Sequence, residues 1–207
     1  MLITGAKGFA KELLVAIKDN GISDFVFYDD LSQERNGCIF ENYKVLATPE
    51  EAKLYLTTID NRFVVGIGNP ALRWKIANQF IEYGGCLTSL ISVKSSIGLY
   101  NSIEKGTVIQ QSVIIENENK ICEGCLINTG SFISHDVVIG KYSEISPFVK
   151  VLGNVKIGNF CLLGTGCIIL PGLTIGNNVV VGAGAVVTKS IENNTTVMGV
   201  PAVSKNK

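Results

Sequence analysis

The chain contains one histidine, His135, and Asp136 follows it directly. Imidazole is the side chain best suited to accept a proton near neutral pH, because its unperturbed pKa is about 6.5. A carboxylate beside the ring can orient it or raise its basicity. The pair therefore predicts a general base, and the alternative is a surface histidine without a catalytic role.

Three short segments near the N-terminus have residue types that suit a nucleotide-containing ligand. They are residues 5–9, which read Gly-Ala-Lys-Gly-Phe, the pair Asp29-Asp30, and residues 66–69, which read Gly-Ile-Gly-Asn. A glycine turn at the start of a helix leaves backbone N–H groups free for a phosphate, and an acidic residue after a strand can bind a ribose or a base. The Gly-x-x-Gly spacing is not the full dinucleotide-binding fingerprint, so a purely structural turn remains the alternative.

The pattern of residues 1–90 alternates between strand and helix. Strands are predicted at residues 2–3, 24–28, 62–67 and 87–91, and helices at residues 9–20, from Thr48-Pro49 onward, and from Asn69-Pro70 to Gly84-Gly85. The segment between Asp30 and Thr48 is predicted to be an irregular link. In a small parallel α/β domain of this kind the carboxyl ends of the strands meet at one edge, so we expect the three ligand-binding segments to converge there.

From Ile91 to Val187 an aliphatic residue recurs at every sixth position. The residue four positions after each aliphatic is mostly small or β-branched, as at Cys125, Val137 and Cys161. Short straight segments joined by turns at a fixed period are typical of a parallel β-helix with a coil of about eighteen residues. An antiparallel sandwich does not maintain so constant a period over this length. Residues 91–207 are therefore predicted to form a second domain, a parallel β-helix.

The coil period also predicts where His135 and Gly153 lie on the β-helix. His135 falls at the third position of its hexad, which should lie outside the prism near a corner, and Gly153 lies one coil further along the same edge. A glycine there leaves room for a substrate, and its N–H could face a developing oxyanion.

The composition bounds the partners. The 207 residues contain 18 Lys and Arg against 18 Asp and Glu, so charge gives no case for nucleic acid or an anionic membrane. The sequence shows no basic segment followed by an apolar one at its start and no apolar run of membrane-spanning length, so a cytoplasmic protein is predicted. Cys122 and Cys125 form a C-x-x-C without a second pair, and Cys125 is predicted to point inward, so no metal site is predicted.

Together these features resemble a known family. The uninterrupted hexads, Ser134-His135-Asp136, the ending Gly199-Val200-Pro201-Ala202 and the N-terminal Gly-Ala-x-Gly turn with Lys11 resemble the left-handed β-helix acyltransferases of the NeuD/PglD type. The resemblance covers essentially the whole chain. It implies a Rossmann-like N-terminal domain that binds a nucleotide sugar and a left-handed β-helix that assembles into a homotrimer with acetyl-CoA in the groove between neighbouring β-helices.

The resemblance also implies roles for individual residues. His135 would take the proton of the attacking amine or hydroxyl, Asp136 would tune that base, and Gly153 would donate its N–H to the tetrahedral intermediate. Acetyl-CoA would touch Glu144, Thr165 and Ala183. The sugar nucleotide would be held by Lys7, Gly8, Phe9, Asp29, Asp30, Gly68 and Asn69.

One position departs from the family pattern. The family turn usually ends in Gly-His or a similar pair, whereas this chain has Gly8-Phe9. The departure leaves the identity of the nucleotide base and of the sugar undetermined. The predicted activity is N-acetylation of a nucleotide-linked amino sugar, such as a UDP-4-amino sugar. The alternatives are O-acetylation of a sugar or sialic acid, and a non-catalytic binding module. A zinc lyase of the three-histidine type is disfavoured because the chain has one histidine.

Overall fold

The computed structural model describes residues 1–31, 38–39 and 43–204. Its N-terminal part is a six-stranded sheet in the order β3-β4-β2-β1-β5-β6. The strands are β1 (Leu2–Thr4), β2 (Val26–Tyr28), β3 (Cys38–Ile39), β4 (Tyr43–Leu46), β5 (Arg62–Val65) and β6 (Cys86–Leu87). The helices are α1 (Gly8–Asp19), α2 (Pro49–Thr58) and α3 (Pro70–Glu82). All neighbouring strands run parallel except β3 and β4, so the predicted Rossmann-like domain is confirmed.

Local sequence explains the helix starts. Thr48 accepts a hydrogen bond from the Glu51 backbone N–H and Glu51 bonds back to the Thr48 N–H, which forms the capping box at the start of α2. The Asn69 side chain caps α3 in the same way by accepting from the Leu72 N–H at 3.0 Å. Helix α1 has no side-chain cap at Lys7, so its first N–H groups are not satisfied by a capping side chain.

Two predictions of the element order are wrong. The segment expected to be an irregular link contains β3 and β4, and β4 pairs in parallel with β2. The predicted strand at residues 87–91 is two strands, because β6 ends at Leu87 in the N-terminal sheet and β7 (Leu90–Ile91) begins the next domain. The break lets the chain leave the sheet and enter the first coil of the β-helix.

The C-terminal part is a left-handed parallel β-helix with three faces. Face 1 contains β7, β10 (Val108–Ile109), β13 (Leu126–Ile127), β16 (Glu144–Ile145), β19 (Leu162–Leu163), β22 (Val180–Val181), β24 (Thr196–Met198) and β25 (Val203–Ser204). Face 2 contains β8 (Ser96–Ile97), β11 (Ile114–Ile115), β14 (Phe132–Ile133), β17 (Lys150–Val151), β20 (Ile168–Ile169) and β23 (Val186–Val187). Face 3 contains β9 (Ser102–Ile103), β12 (Lys120–Ile121), β15 (Val138–Ile139), β18 (Lys156–Ile157) and β21 (Thr174–Ile175).

The hexad pattern builds this column directly. The sixth-position aliphatic is the last residue of every strand from β7 to β23, and the parallel pairs have the predicted offset, as between Ile109 and Ile127. The small residues at the fourth position after each aliphatic also point inward, and Cys125, Cys161 and Cys167 are fully buried free thiols. The core is therefore one continuous stack of alternating large and small side chains.

The N-terminal domain packs on the early coils of face 1. Leu90, Val108 and Leu126 point outward from that face and form one buried cluster with α1. A second cluster joins Tyr142 of the β-helix to the α2 and α3 side of the sheet. The early coils of face 1 are thus covered, whereas Val180 in a later coil of the same face is 39% exposed.

Candidate functional site

His135 lies in the turn between β14 and β15, at the edge between faces 2 and 3. Its side chain is 60% exposed, and Nδ1 lies 2.7 Å from Asp136 Oδ2. Asp136 has a left-handed backbone with φ of 58°, a conformation that Asp and Asn tolerate better than most residues. The carboxylate therefore holds Nδ1, which leaves Nε2 as the nitrogen available to a substrate.

Several carboxylates surround this imidazole. The hydrogen bond with Asp136 raises the pKa of His135 above its ordinary value, and the negative charges of Asp136, Glu116 and Glu118 add to the rise. The Glu116 carboxylate is itself held in place, because Ser134 Oγ donates to Glu116 Oε2 at 2.9 Å. The sequence analysis did not identify Glu116, although the coil period puts it directly below Ser134.

Gly153 lies against the imidazole, as the coil period predicts. A methyl group at this position would come within 2.8 Å of His135 Cε1 and Nε2. Gly153 is buried, and its N–H donates no hydrogen bond to another residue in the described part of the chain. This N–H therefore remains available as a donor to a group outside the chain.

A cleft of about 490 Å³ opens beside His135. Its walls come from the two coils below, and they include Gly98, Ile114, Glu116 and Asn117. The cleft is open to solvent along face 2. It has space for a sugar-sized group next to the base.

A second, smaller cavity of about 120 Å³ lies at the carboxyl edge of the N-terminal sheet. Gly5, Asp29, Asp30 and Ile67 all border it, so the convergence of the three N-terminal segments is confirmed. Its other walls are apolar and come from Leu31, Leu72 and Ile76. An apolar slot with carboxylates at its rim suits a planar polar ring.

Two buried hydroxyl groups line this cavity and were missed by the sequence analysis. Thr4 is 1% exposed and Tyr28 is 4% exposed. Thr4 Oγ1 has no hydrogen-bond partner among the described residues, whereas Tyr28 Oη lies within reach of the Asp30 carboxylate. Burial, together with the nearby Asp30, raises the pKa of Tyr28 well above its usual range. The two residues are paired in register on β1 and β2. A polar residue at the end of a buried strand was the only available signal, and it is a weak one.

The remaining predicted nucleotide ligands are spread around this edge. Lys7 and Gly8 are exposed, and Phe9 is half-buried against the α1 cluster, so its ring packs and is not aimed at the cavity. Asn69 is exposed but its side chain is used to cap α3. Gly68 faces the β-helix, since a methyl group on it would meet Glu144 Oε2 at 3.6 Å.

The three residues expected to touch acetyl-CoA are not equivalent. Thr165 and Ala183 are exposed and stack one coil apart at the edge between faces 1 and 2, where the Gly184 N–H donates to the Thr165 carbonyl at 2.9 Å. Glu144 lies on face 1, partly covered by the N-terminal domain, and burial raises the pKa of its carboxyl group. No group of three or more potential ligands among the described residues could hold a metal ion.

Comparisons with known proteins match both domains. Residues 1–80 match the model of the PglD N-terminal domain, and residues 154–189 match the bacterial transferase hexapeptide model with six repeats. The chain is thus an acyltransferase that combines the two domains of the left-handed β-helix acyltransferases of the NeuD/PglD type, which it resembles.

Solved structures of similar acyltransferases cover nearly the whole chain. PerB from Caulobacter crescentus, in complex with CoA and GDP-perosamine, is 26% identical with a TM-score of 0.89, and the match covers 99% of this chain and 96% of PerB. The acetyltransferase domain of PglB from Neisseria gonorrhoeae FA1090, in complex with acetyl coenzyme A, is 27% identical with a TM-score of 0.88 and coverage of 99% and 98%. WeeI from Acinetobacter baumannii AYE is 28% identical with a TM-score of 0.89 and coverage of 99% and 98%.

We expect Gly153→Ala to lower the acyltransferase kcat/KM by about tenfold to a hundredfold, because the new methyl group must displace the imidazole by a fraction of an ångström or more. Steady-state kinetics measure the loss, and thermal unfolding shows whether the β-helix is retained. The matched control is the same substitution in a His135→Ala background, where there is no ring to displace. An equal loss from Gly153→Ala in both backgrounds would contradict a steric effect on His135.

We expect Asp136→Asn to move the acidic limb of the kcat/KM profile to lower pH. The base is usable only when neutral, so the limb follows the pKa of His135, and losing the carboxylate removes the main cause of its raised value. Asn suits the left-handed backbone at this position. Glu118→Gln should shift the limb in the same direction but less, because Glu118 acts through charge alone. An unmoved limb in Asp136→Asn would show that another group titrates.

Proposed function

We propose that this acyltransferase transfers the acetyl group of acetyl-CoA to the amino group of a nucleotide-linked sugar. The single observation that carries the proposal is the cluster of His135, Asp136 and the free Gly153 N–H beside an open cleft. The similarity to structures that hold CoA, acetyl coenzyme A or GDP-perosamine supports the choice of donor and acceptor class.

The reaction needs little machinery, because a thioester is already activated. The amino group first loses its ammonium proton to solvent, and the neutral amine then attacks the carbonyl carbon of acetyl-CoA. His135 Nε2 accepts the proton that leaves the nitrogen during the attack, and Asp136 holds Nδ1. The oxyanion of the tetrahedral intermediate accepts a hydrogen bond from the Gly153 N–H. Collapse then breaks the carbon–sulfur bond, and His135 returns the proton to the CoA thiolate, which leaves an amide and free CoA.

The cavity of the N-terminal sheet is proposed to bind the nucleotide. Residues 1–90 would then form the nucleotide-sugar domain and residues 91–207 the acyltransferase domain. Asp29 and Asp30 would accept hydrogen bonds from the base or ribose, and the loop at Lys7, Gly8 and Phe9 would present backbone N–H groups to the diphosphate. Thr4 adds a hydroxyl that lacks a partner among the described residues, and Tyr28 adds a second hydroxyl beside Asp30.

The charge around His135 favours an amine as the acceptor. Glu116, Glu118 and Asp136 place three carboxylates around the base. An amino sugar enters as a cation and is attracted by them, whereas the carboxylate of a sialic acid is repelled. This observation supports N-acetylation over O-acetylation of a sialic acid.

The cavity of the N-terminal sheet and the cleft beside His135 lie on different sides of one chain. A second copy of the chain could bring the two sites together, which supports an oligomer. The N-terminal domain covers the early coils of face 1, whereas His135 lies at the edge between faces 2 and 3. Outward residues of face 2 include Ile114, Phe132 and Ile168, while those of face 3 include Lys120 and Lys156. We therefore propose a homotrimer in which face 2 meets a second copy and acetyl-CoA runs along the shared groove past Thr165, Ala183 and Glu144.

No helix in the described part of the chain has the length and apolar character needed to cross a membrane. We place the reaction in the cytoplasm, where acetyl-CoA and nucleotide sugars meet.

The proposed activity is tested by mass spectrometry of products from acetyl-CoA with UDP-, GDP- and dTDP-amino sugars and with free sialic acids. We expect acetylation of at least one nucleotide amino sugar, and we expect His135→Ala to reduce turnover at least about a hundredfold while the oligomer stays folded. Thr174→Ala, on the exposed outside of face 3, is the control and should keep full turnover.

Three outcomes would contradict the proposal. Turnover of free sialic acid alone would favour the O-acetyltransferase alternative. Absence of turnover, with no heat of acetyl-CoA binding by calorimetry, would favour a non-catalytic module. A near-normal rate in His135→Ala would remove the histidine from the mechanism.

We expect Thr4→Val to weaken binding of the nucleotide sugar about fivefold to a hundredfold without lowering the thermal stability of the free protein. The substitution keeps the shape of the side chain and removes a buried hydroxyl that has no partner, so only the bound state loses a hydrogen bond. Calorimetric titration and thermal unfolding measure the two effects. A loss of stability with unchanged affinity would show that the hydroxyl serves the fold instead.

A further inference from the structure

Arg73 is a buried cation between the two domains. It lies on the first turn of α3 and is 1% exposed. Burial lowers the pKa of its guanidinium, and the nearby Glu144 charge opposes this effect. No ion pair joins it to a carboxylate within the described ranges, so backbone groups compensate its charge.

All five guanidinium N–H groups have carbonyl acceptors, which are divided between the domains. Nη1 donates to the carbonyls of Ile67, at 3.2 Å, and Gly68 in the turn after β5. Nε donates to Gly124, at 2.8 Å, and Nη2 to Tyr142, at 2.8 Å, and Ser143, at 3.2 Å, all on the β-helix. A guanidinium has five donors in a fixed planar fork, so this arrangement satisfies it completely.

The β-helix carbonyls come from two successive coils. Gly124 and Tyr142 occupy equivalent positions one coil apart, so the fork spans the stacking direction of the column. A rigid column is thereby tied to a single turn of the N-terminal domain. That turn also begins α3, since the Arg73 N–H donates to the Asn69 carbonyl at 2.8 Å.

The turn that Arg73 holds, Gly68–Asn69, faces Glu144, which is proposed to contact acetyl-CoA. Glu144 follows Ser143 directly, and its Oε2 lies 3.6 Å from where a methyl group on Gly68 would stand. The fork therefore holds Gly68 against the coil that carries Glu144. One side of this contact belongs to the proposed nucleotide-sugar site and the other to the proposed acetyl-CoA site.

We infer that Arg73 is a positioning residue, which fixes the Gly68–Asn69 turn against the coil of Glu144 and so sets the distance between the bound nucleotide sugar and the acyl donor. This inference rests on the proposed function. It assigns Arg73 no contact with either substrate. Burying a charge between two domains costs free energy that an apolar contact would not. The planar fork, however, fixes the distance between the two substrates, which an apolar contact does not do.

The test is the steady-state kinetics of Arg73→Lys and Arg73→Met with an accepted nucleotide amino sugar. Lysine keeps the positive charge but lacks the planar fork of donors. Methionine has a long side chain but neither the charge nor the donors. We expect Arg73→Lys to lower kcat/KM for the nucleotide sugar at least about tenfold and Arg73→Met more, because misplacement of a substrate by about 1 Å has effects of this size. The KM for acetyl-CoA should stay within about twofold, because the β-helix is unchanged.

Phe160→Ala is the matched control for a general weakening of the interface. Phe160 stacks on Tyr142 at 5.9 Å and meets Trp74 edge-on at 6.3 Å, and its backbone N–H donates to Lys141 within the β-helix. We expect it to lower the melting temperature to an extent similar to Arg73→Lys and to leave both KM values unchanged. Calorimetric titration of the nucleotide sugar without acetyl-CoA provides a second readout, which should weaken in the Arg73 variants only.

The inference is overturned if folded Arg73 variants keep wild-type kinetics for the nucleotide sugar, or if both KM values rise equally in the Arg73 and Phe160 variants. It is also overturned if neither Arg73 variant folds, because Arg73 is then a determinant of folding. A wild-type protein that acetylates no nucleotide sugar is a separate result, which contradicts the proposed function and this inference together.

Discussion

The structure depends on one constraint, which is that every sixth side chain must fill the interior of a narrow three-sided column. An aliphatic residue at each strand end and a small residue four positions later meet this requirement, and parallel pairing between coils then fixes the register. Because the period does not slip, the outward positions are fixed as well. His135 and Gly153 meet at one edge because each lies at the same place in successive coils.

Features set by this period could be predicted from the sequence. They include the β-helix strands, their inward residues and the contact between His135 and Gly153, since a constant register turns sequence spacing into distance. The convergence of the segments at Gly5, Asp29 and Ile67 was also predictable, because parallel strands end at one edge. Capping patterns at Thr48 and Asn69 indicated two of the helix starts.

Features that depend on the packing of the two domains were not predictable in the same way. Nothing in the local pattern of α3 distinguishes Arg73 from an exposed helical arginine, because its acceptors on the β-helix include carbonyls 51 and 69 residues away. Glu144 occupies an ordinary outward position of a strand, and only the domain above it makes that position half-buried. Thr4 and Tyr28 line a cavity whose wall includes Leu72 and Ile76 of α3, so their position in a site depends on how α3 packs. Strand β3 has only two residues, which is too short to show an alternating pattern. Strand β4 does alternate over Tyr43, Lys44 and Val45, so it could have been predicted from the sequence.

The β-helix has no insertion between β7 and β23, so its turns have no spare length. A residue added within a hexad would turn the following inward side chain away from the core, whereas exchanges of outward side chains leave the column intact. The loops of the N-terminal domain follow no fixed repeat, so a residue added in one of them does not shift the register of the strands. The proposed nucleotide-sugar site can therefore change through the loops of one domain while the proposed acyltransfer edge in the other domain stays the same.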